Sequence, residues 1–436
     1  MKHNHDTPRP LTQTRYWRWL TQILLAGLLL AVSWLSHTSV EPGRSAQALV
    51  PAPTQGPRQP QMAPLRTPVQ PGETLSVLGT AANRLMPPGD LSHLPGSLDE
   101  ALVAGDLPDR FDWRNHNGSS YVTPAKDQQG CAACYAFAFL GQMEAKLRMD
   151  GAGSYDLSEN HAKECNWTAA SRFESPPGSP WGSCNGGNSF MLANLFSQTG
   201  TVLESCDPFV PGDVSCGGSC PYQQTVLDWR LITAGPPPPA QALKRYLLEQ
   251  GPLAVSMFID LDGGFHPDYD GSFTLNYQAA PDRANHTVLL VGWSDRLPPV
   301  RGETRPAEGW IVKNNWGADW GDLGFFYLAY GAAILGAISS FVAEWQDYDP
   351  GGRLLHYDEG GWWHSWGCED TTAWALAKFD APSEASVERI EFWTTDATTA
   401  VDVYLYRDFD GKALSGLLAS QLGNQFAEAG YHSILL

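Results

Sequence analysis

Two cysteines, Cys131 and Cys134, stand three positions apart in a turn of small residues, Gly130, Ala132 and Ala133, and they are the side chains best placed to do chemistry. From Ala136 onward apolar residues recur at Leu140, Met143 and Leu147, which is one face of a helix, so Cys134 falls at or just before its first turn. A helix amino terminus stabilises an anion, and a thiol placed there is drawn toward the nucleophilic thiolate. Taken alone, the pair is equally a structural disulfide or a redox couple.

A thiolate nucleophile needs a base, and the base needs a partner that orients its second ring nitrogen. His286 opens the apolar run Thr287 to Trp293, and Asn314 closes the run from Trp310, with Trp316-Gly317 and Trp320-Gly321 after it. A histidine that begins a strand is, by itself, an ordinary satisfied polar residue; the order and company of these motifs are what give it a chemical reading.

Together Gln128, Cys131, Cys134, His286 and Asn314 resemble the active-site segments of papain-like cysteine peptidases. In that family a Cys-Gly-Ser/Ala-Cys-Trp/Tyr stretch precedes a histidine strand and a Lys-Asn-x-Trp-Gly segment; here Ala132 replaces the glycine and Tyr135 supplies the aromatic. His286 and Asn314 follow Cys134 by 152 and 180 positions, somewhat above the roughly 130 to 150 usual for the family. The stretch from Asp295 to Glu308, rich in Pro, Arg and Glu, reads as a surface insertion between His286 and Asn314, which accounts for the excess at Asn314. The resemblance runs from about residue 107 to 346, beginning at Leu107-Pro108-Asp109-Arg110-Phe111-Asp112-Trp113 and including Leu157-Ser158-Glu159. It implies Cys134 as nucleophile, His286 as base and later acid, Asn314 as orienter, and Gln128 with the Cys134 amide as donors to an oxyanion. It also implies that Gly186 and Gly187 pair with an extended peptide, that Trp316 shields the histidine, and that Asn188, Ser189, Ser256 and Asn285 line the main specificity pocket. Those four are more polar than is usual for an apolar preference. By the same resemblance Cys131 pairs with Cys184 and Cys165 with Cys216; Cys206 with Cys220 is inferred from what remains, and Cys368 is left free. Neither a metal nor a cofactor is expected, since Cys216 and Cys220 lack the histidines or second cysteine pair of a zinc cage.

The elements that must position these groups divide the chain. Residues 1–48 carry Lys2, Arg9, Arg15 and Arg18 before the apolar run Ile23 to Leu35, which is an export signal or an uncleaved membrane anchor. Residues 49–106 form a Pro-rich linker and then either a short prosegment or a spacer. Residues 107–347 open with helix-period patterns, with Ser158 as an N-cap and Gly200 as a stop. A helix from Ala240 to Gln250 is closed by Gly251, and short strands follow at Leu253 to Ile259, Thr287 to Trp293, Trp310 to Asn314, Phe325 to Ala329 and Gly336 to Ala343. The expected fold class is α+β: a helical lobe and a β-barrel-like lobe with a cleft between them.

After a linker at 348–354, residues 355–436 alternate aromatic and β-branched residues and resemble the lectin-like module of some microbial papain-like proteins. This reads as a separate sandwich-like domain, short for its kind, whose final strand leaves an open apolar edge. A chain ending at Pro350 is therefore expected to keep its rate on short peptides and gain solubility. With 43% hydrophobic and 17% charged residues the 436-residue chain can bury a large core, and a net charge of -19 excludes the basic face of a nucleic-acid binder. The reading is a secreted cysteine peptidase acting on peptides or proteins, with a cell-surface glycan as the partner of its carboxy-terminal domain. A thiol oxidoreductase using Cys131 and Cys134 would need a preceding βαβ pattern that is absent. An inactive scaffold serving as a surface or carbohydrate-binding protein is the other alternative, disfavoured by the intact Cys, His and Asn.

Overall fold

A computed structural model describes residues 107–170, 182–260, 265, 268–279, 284–357, 372–381, 385–396 and 399–436, with the backbone of 61–62 and 366–367. The export segment, most of the linker, the loop at Pro176 to Trp181 and Cys368 lie outside those residues.

Helix α1 (Cys134–Met149) is the axis of the molecule, with 13 of its residues buried, from Cys134 through Ala145 and Leu147. A helix that is apolar nearly all round has to be covered on all sides. Phe139, Leu140 and Met143 pack into the core shared with α4 (Ser189–Gln198), while Gly141 lets Leu289 of the sheet approach to van der Waals distance. Helix α2 (Glu159–Glu164) starts where the sequence places it, because the Ser158 hydroxyl accepts from the His161 amide at 2.9 Å. The four-residue α3 (Trp167–Ala170) follows it. Asn188 caps α4 in the same way, accepting from Met191 N at 3.1 Å. Helix α5 (Ala240–Gln250) ends at Gly251 with φ +94, as its sequence stop signal requires.

The strands β1 (Arg110–Asp112), β2 (Gln224–Ala234), β3 (Leu253–Met257), β4 (His286–Leu297), β5 (Ala307–Lys313), β6 (Phe325–Ala329) and β7 (Ile338–Asp347) belong to one antiparallel sheet. Its order is β2-β7-β3-β4-β5-β6, with β1 added on β4. Among the described residues this path does not close on itself, so the barrel-like lobe is an open, coiled sheet. Strand β2 has no counterpart in the sequence reading. Nine of its eleven residues are buried, all but Thr225 and Arg230, so the inside-outside alternation that marks a half-exposed strand is missing. The stretch from Asp295 to Glu308 extends the β4–β5 hairpin, paired out to Leu297 and Ala307, with residues 301–306 exposed.

The carboxy-terminal residues are all-β: β8 (Arg389–Thr394), the hairpin β9 (Ala400–Phe409) and β10 (Leu414–Gln425), and β11 (Ala429–Leu435). Strand β11 corrects the expectation that the final strand leaves an open edge. It pairs with β8 on one side and, through Ala429, Gly430 and Tyr431, with Leu231, Arg230 and Trp229 of β2 on the other. A side chain at Gly430 would lie 2.1 Å from the Trp229 carbonyl oxygen, so only glycine permits this approach. The contact also carries charge. Arg230 Nη1 donates to Glu428 Oε2 at 3.1 Å and the Tyr246 hydroxyl donates to Glu428 Oε1 at 2.7 Å, with Glu428 only 7% exposed. No helix among the described residues is long and apolar enough to cross a membrane.

Candidate active site

Small residues make the turn into α1, and Ala133 at its N-cap has no side chain that could bond the first amides. The amides of Cys134 and Tyr135 therefore point toward the thiol and favour its anion, as do hydrogen bonds to Thr287. Burial acts the other way and is the larger effect, so the Cys134 thiol sits above its ordinary value. Cys134 is a free, buried cysteine, whereas Cys131 is joined to Cys184, Cys165 to Cys216 and Cys206 to Cys220. With Cys131 engaged elsewhere, no Cys131–Cys134 redox couple is present.

His286 is the first residue of β4, opposite Met257 of β3. Its Nε2 lies 2.9 Å from Asn314 Oδ1, so the neutral ring keeps a proton on Nε2 and a lone pair on Nδ1. Burial pulls the imidazole pKa down to about 4, against the upward pull of Asn314. Trp316 packs over the ring at 5.7 Å and is held in turn by Phe265 and Trp320. The thiol pushed up and the imidazole pulled down each favour the uncharged form when taken alone.

Asn315 is the residue the sequence reading missed. Its Nδ2 donates to the Cys134 carbonyl at 3.4 Å and to the Thr287 carbonyl at 3.1 Å, and its backbone carbonyl accepts from the Gln128 backbone N–H at 2.8 Å. Through side chain and backbone together, this one residue ties the segments that carry Cys134, His286 and Gln128. It occupies the variable position of the Lys-Asn-x-Trp-Gly segment, so no motif marks it. Gln128 itself is 5% exposed, and its Nε2 donates one hydrogen to the Cys131 carbonyl at 2.7 Å, which fixes the amide and leaves a second N–H on the same nitrogen.

Behind these groups lies a buried charge network. Lys126 Nζ is 2.7 Å from Asp156, 2.9 Å from Glu159 and 3.5 Å from Glu144, while Lys313 Nζ donates to Thr123 Oγ1, which donates to Glu144. Burial pushes Glu159 up to about 8 despite Lys126. For Lys126 the order reverses: burial lowers its pKa, but Glu159 and Glu144 outweigh it and hold the ammonium charged.

The candidate substrate contacts divide. Gly187 lies against the Tyr135 ring, where a Cβ would approach to 2.7 Å, and the Cys131–Cys184 disulfide holds the same loop at the start of α1. Gly186 has φ +85 and its carbonyl accepts from Gly182 N. Asn285, by contrast, uses both ends of its amide on the Ile259 backbone, at 2.7 and 3.0 Å. Ser256 accepts from Ile338 N at 2.8 Å. Much of the polarity expected in the pocket is thus turned onto the backbone. Among the described residues one trio of metal-ligand types lies together, His161, Cys165 and Cys216, but the two sulfurs are bonded to each other and offer no thiolate.

The chain matches known proteins. Residues 107–343 fit the model of the Papain family cysteine protease. The chain belongs to that family. Residues 354–436 fit the Lectin like domain. Cysteine proteinase 15A of Pisum sativum is 29% identical over 258 residues, 57% of this chain and 65% of that protein. A cathepsin L-like proteinase of Fasciola hepatica is 29% identical over 244 residues, 54% of this chain and 65% of that protein. The chain thus spans somewhat under two thirds of the length of these relatives. Among solved structures, the cysteine protease and lectin-like domains of Cwp84, a surface layer associated protein of Clostridium difficile, superpose with TM-score 0.60 at 19% identity, covering 76% of this chain and 72% of that one. The architecture is therefore a papain-like fold followed by a carboxy-terminal all-β domain.

Proposed function

We propose that this chain hydrolyses peptide bonds through an acyl-enzyme on Cys134. The observation that carries the reading is a free cysteine at an uncapped helix start, joined through Asn315 to the strand whose first residue, His286, is oriented by Asn314. In the first half-reaction the Cys134 sulfur attacks the peptide carbonyl carbon as its proton passes to His286 Nδ1. The oxyanion that forms is met by the Cys134 amide and the remaining Gln128 N–H. His286 then gives its proton to the leaving amine as the C–N bond breaks, and the thioester remains. A water deprotonated by His286 attacks the thioester, and release of the acid returns the proton to the sulfur.

The substrate is a peptide or protein. An extracytoplasmic setting is supported by three disulfides and by the apolar run Ile23 to Leu35 after a basic start. A glycan partner for the carboxy-terminal domain is supported by its family match and by the exposed rings Tyr357 and Trp374. The test is cleavage of a fluorogenic peptide library with Cys134→Ala as the blank, combined with mass spectrometry for a substrate-derived adduct on Cys134. Hydrolysis that persists in Cys134→Ala rejects the mechanism.

A further inference from the structure

The carboxy-terminal domain reaches α4 and β2 of the peptidase through one row of aromatic residues. Trp393 of β8 stands opposite Tyr431 of β11, and Tyr431 stands opposite Trp229 of β2, so the three share one face across three neighbouring strands. Ring centroids are 5.3 Å apart between Trp393 and Tyr431 and 5.9 Å between Trp393 and Trp229. Onto this row sits Phe190, 4.9 Å from Trp229 and 6.2 Å from Trp393, itself only 5% exposed.

Phe190 is the second residue of α4 and follows Asn188 and Ser189 directly. The chain from Cys184 to Phe190 therefore has two anchors. At its front the Cys131–Cys184 disulfide and the Gly187–Tyr135 contact fasten it to the helix that carries Cys134. At its back Phe190 is seated on a platform to which the carboxy-terminal domain contributes two rings of three.

We propose that Trp393 is a positioning residue for the peptidase cleft: through Phe190 it fixes the first turn of α4, and with it Asn188 and Ser189, which the family resemblance puts in the main specificity pocket, assigned here to the second substrate residue before the scissile bond. The domain is then a specificity element of the enzyme as well as a binding module. The inference rests on the peptidase reading and on the pocket placement of Asn188 and Ser189. An aromatic pair contributes enough beyond its buried area to change an equilibrium about three- to tenfold when lost. That is the rise in KM expected for Trp393→Ala on substrates bulky at that second position, with kcat unchanged.

The experiment uses the full chain and two sets of fluorogenic peptides, one varied at the second residue before the scissile bond and one varied after it. Trp393→Ala should raise KM selectively in the first set, and Trp393→Phe should restore most of it. Alkylation of Cys134 by iodoacetamide, which needs no subsite, should keep its rate. If Trp393→Ala does not fold, Trp393→Phe carries the test, with a smaller KM rise confined to the same set. An equal loss across both sets, or no change in either, overturns the proposal. Absence of hydrolysis by the unsubstituted chain, with Cys134 still open to alkylation, rejects the peptidase reading instead.

Discussion

His286 Nε2 is held 2.9 Å from Asn314 Oδ1, and this bond decides which ring nitrogen is free to accept a proton. Because an amide oxygen can only accept, the neutral imidazole carries its hydrogen on Nε2 and presents Nδ1 as the proton acceptor. Cys134→Ala and His286→Ala should each abolish hydrolysis, and Gln128→Ala should lower turnover by about 10²- to 10³-fold. Asn314→Ala frees the ring to rotate and lose the productive tautomer, so its cost should stay within the ~10²- to 10⁴-fold that positioned acid-base catalysis contributes. The check is kcat on one short peptide across the four variants. An Asn314→Ala enzyme with the full rate would mean that packing by Trp316 alone orients the ring.

Asn315 makes a different prediction, because it touches backbone rather than reacting atoms. Asn315→Ala leaves the Cys134 and Thr287 carbonyls without their buried donor, a loss of about 1 to 3 kcal/mol per unsatisfied group. Urea unfolding should show that destabilisation. The iodoacetamide pH profile of Cys134 should shift as well, since the segments bearing thiol and imidazole are no longer tied. A variant equal to the parent in both measurements would reduce Asn315 to a bystander.

How much of this was legible in the sequence depends on whether a feature is local. The N-cap at Ser158, the stop at Gly251 and the strand Phe325–Ala329 each depend on a few consecutive residues, and the structure has them where the sequence indicates. Strand β2 was not legible, because its two faces are covered by different partners and its burial shows no alternation. The β11–β2 pairing was beyond reach for another reason. Gly430, Glu428 and Tyr431 have meaning only opposite Trp229, Arg230 and Tyr246, about 200 positions away, and no short-range pattern encodes such a partner. In the site, residue types singled out Cys134, His286 and Asn314, and the structure brings His286 Nε2 to 2.9 Å from Asn314 Oδ1. The carbonyl contacts of Asn315 and the backbone engagement of Asn285 and Ser256 are geometry, which residue types do not announce.

His161 offers a stability prediction with a defined sign. Its ring lies among Phe196 and Tyr222, and burial draws its pKa from 6.5 down to about 4 although Asp207 and the Gly200 backbone pull upward. Between those values the unfolded chain binds a proton that the folded chain does not. Stability from this group is therefore present above about pH 6.5 and lost as pH falls toward 4. The full effect is on the order of 3 kcal/mol. His286 acts in the same window and direction, while Glu159, pushed up to about 8, acts oppositely. Comparing His161→Phe with the parent cancels those other groups. The variant should show a shallower fall of unfolding free energy between pH 6.5 and 4, and parallel curves would mean that the ring is hydrated.

Removal of everything after Pro350 tests the union of the two parts most directly. The truncated chain would keep Cys134, His286, Asn314 and Gln128 but lose β11. Residues Trp229 to Leu231 of β2 would then present unpaired backbone groups at a sheet edge. Arg230 and Tyr246 would lose the Glu428 carboxylate between them, and Trp229 and Phe190 would be uncovered on the side where Trp393 packs. An exposed edge beside an apolar patch promotes association, and the two lost hydrogen bonds to a charged group are worth about 1.5 to 3 kcal/mol each. The truncated protein should therefore melt earlier and aggregate at lower concentration than the full chain, the reverse of the solubility gain that the sequence suggests. Glu428→Ala in the full chain should reproduce part of the lower melting temperature without the aggregation, since β11 and its pairing remain. Light scattering and thermal unfolding on the three proteins decide the matter; a truncated chain as stable and soluble as the full one would show that the β2–β11 ladder adds nothing to the peptidase.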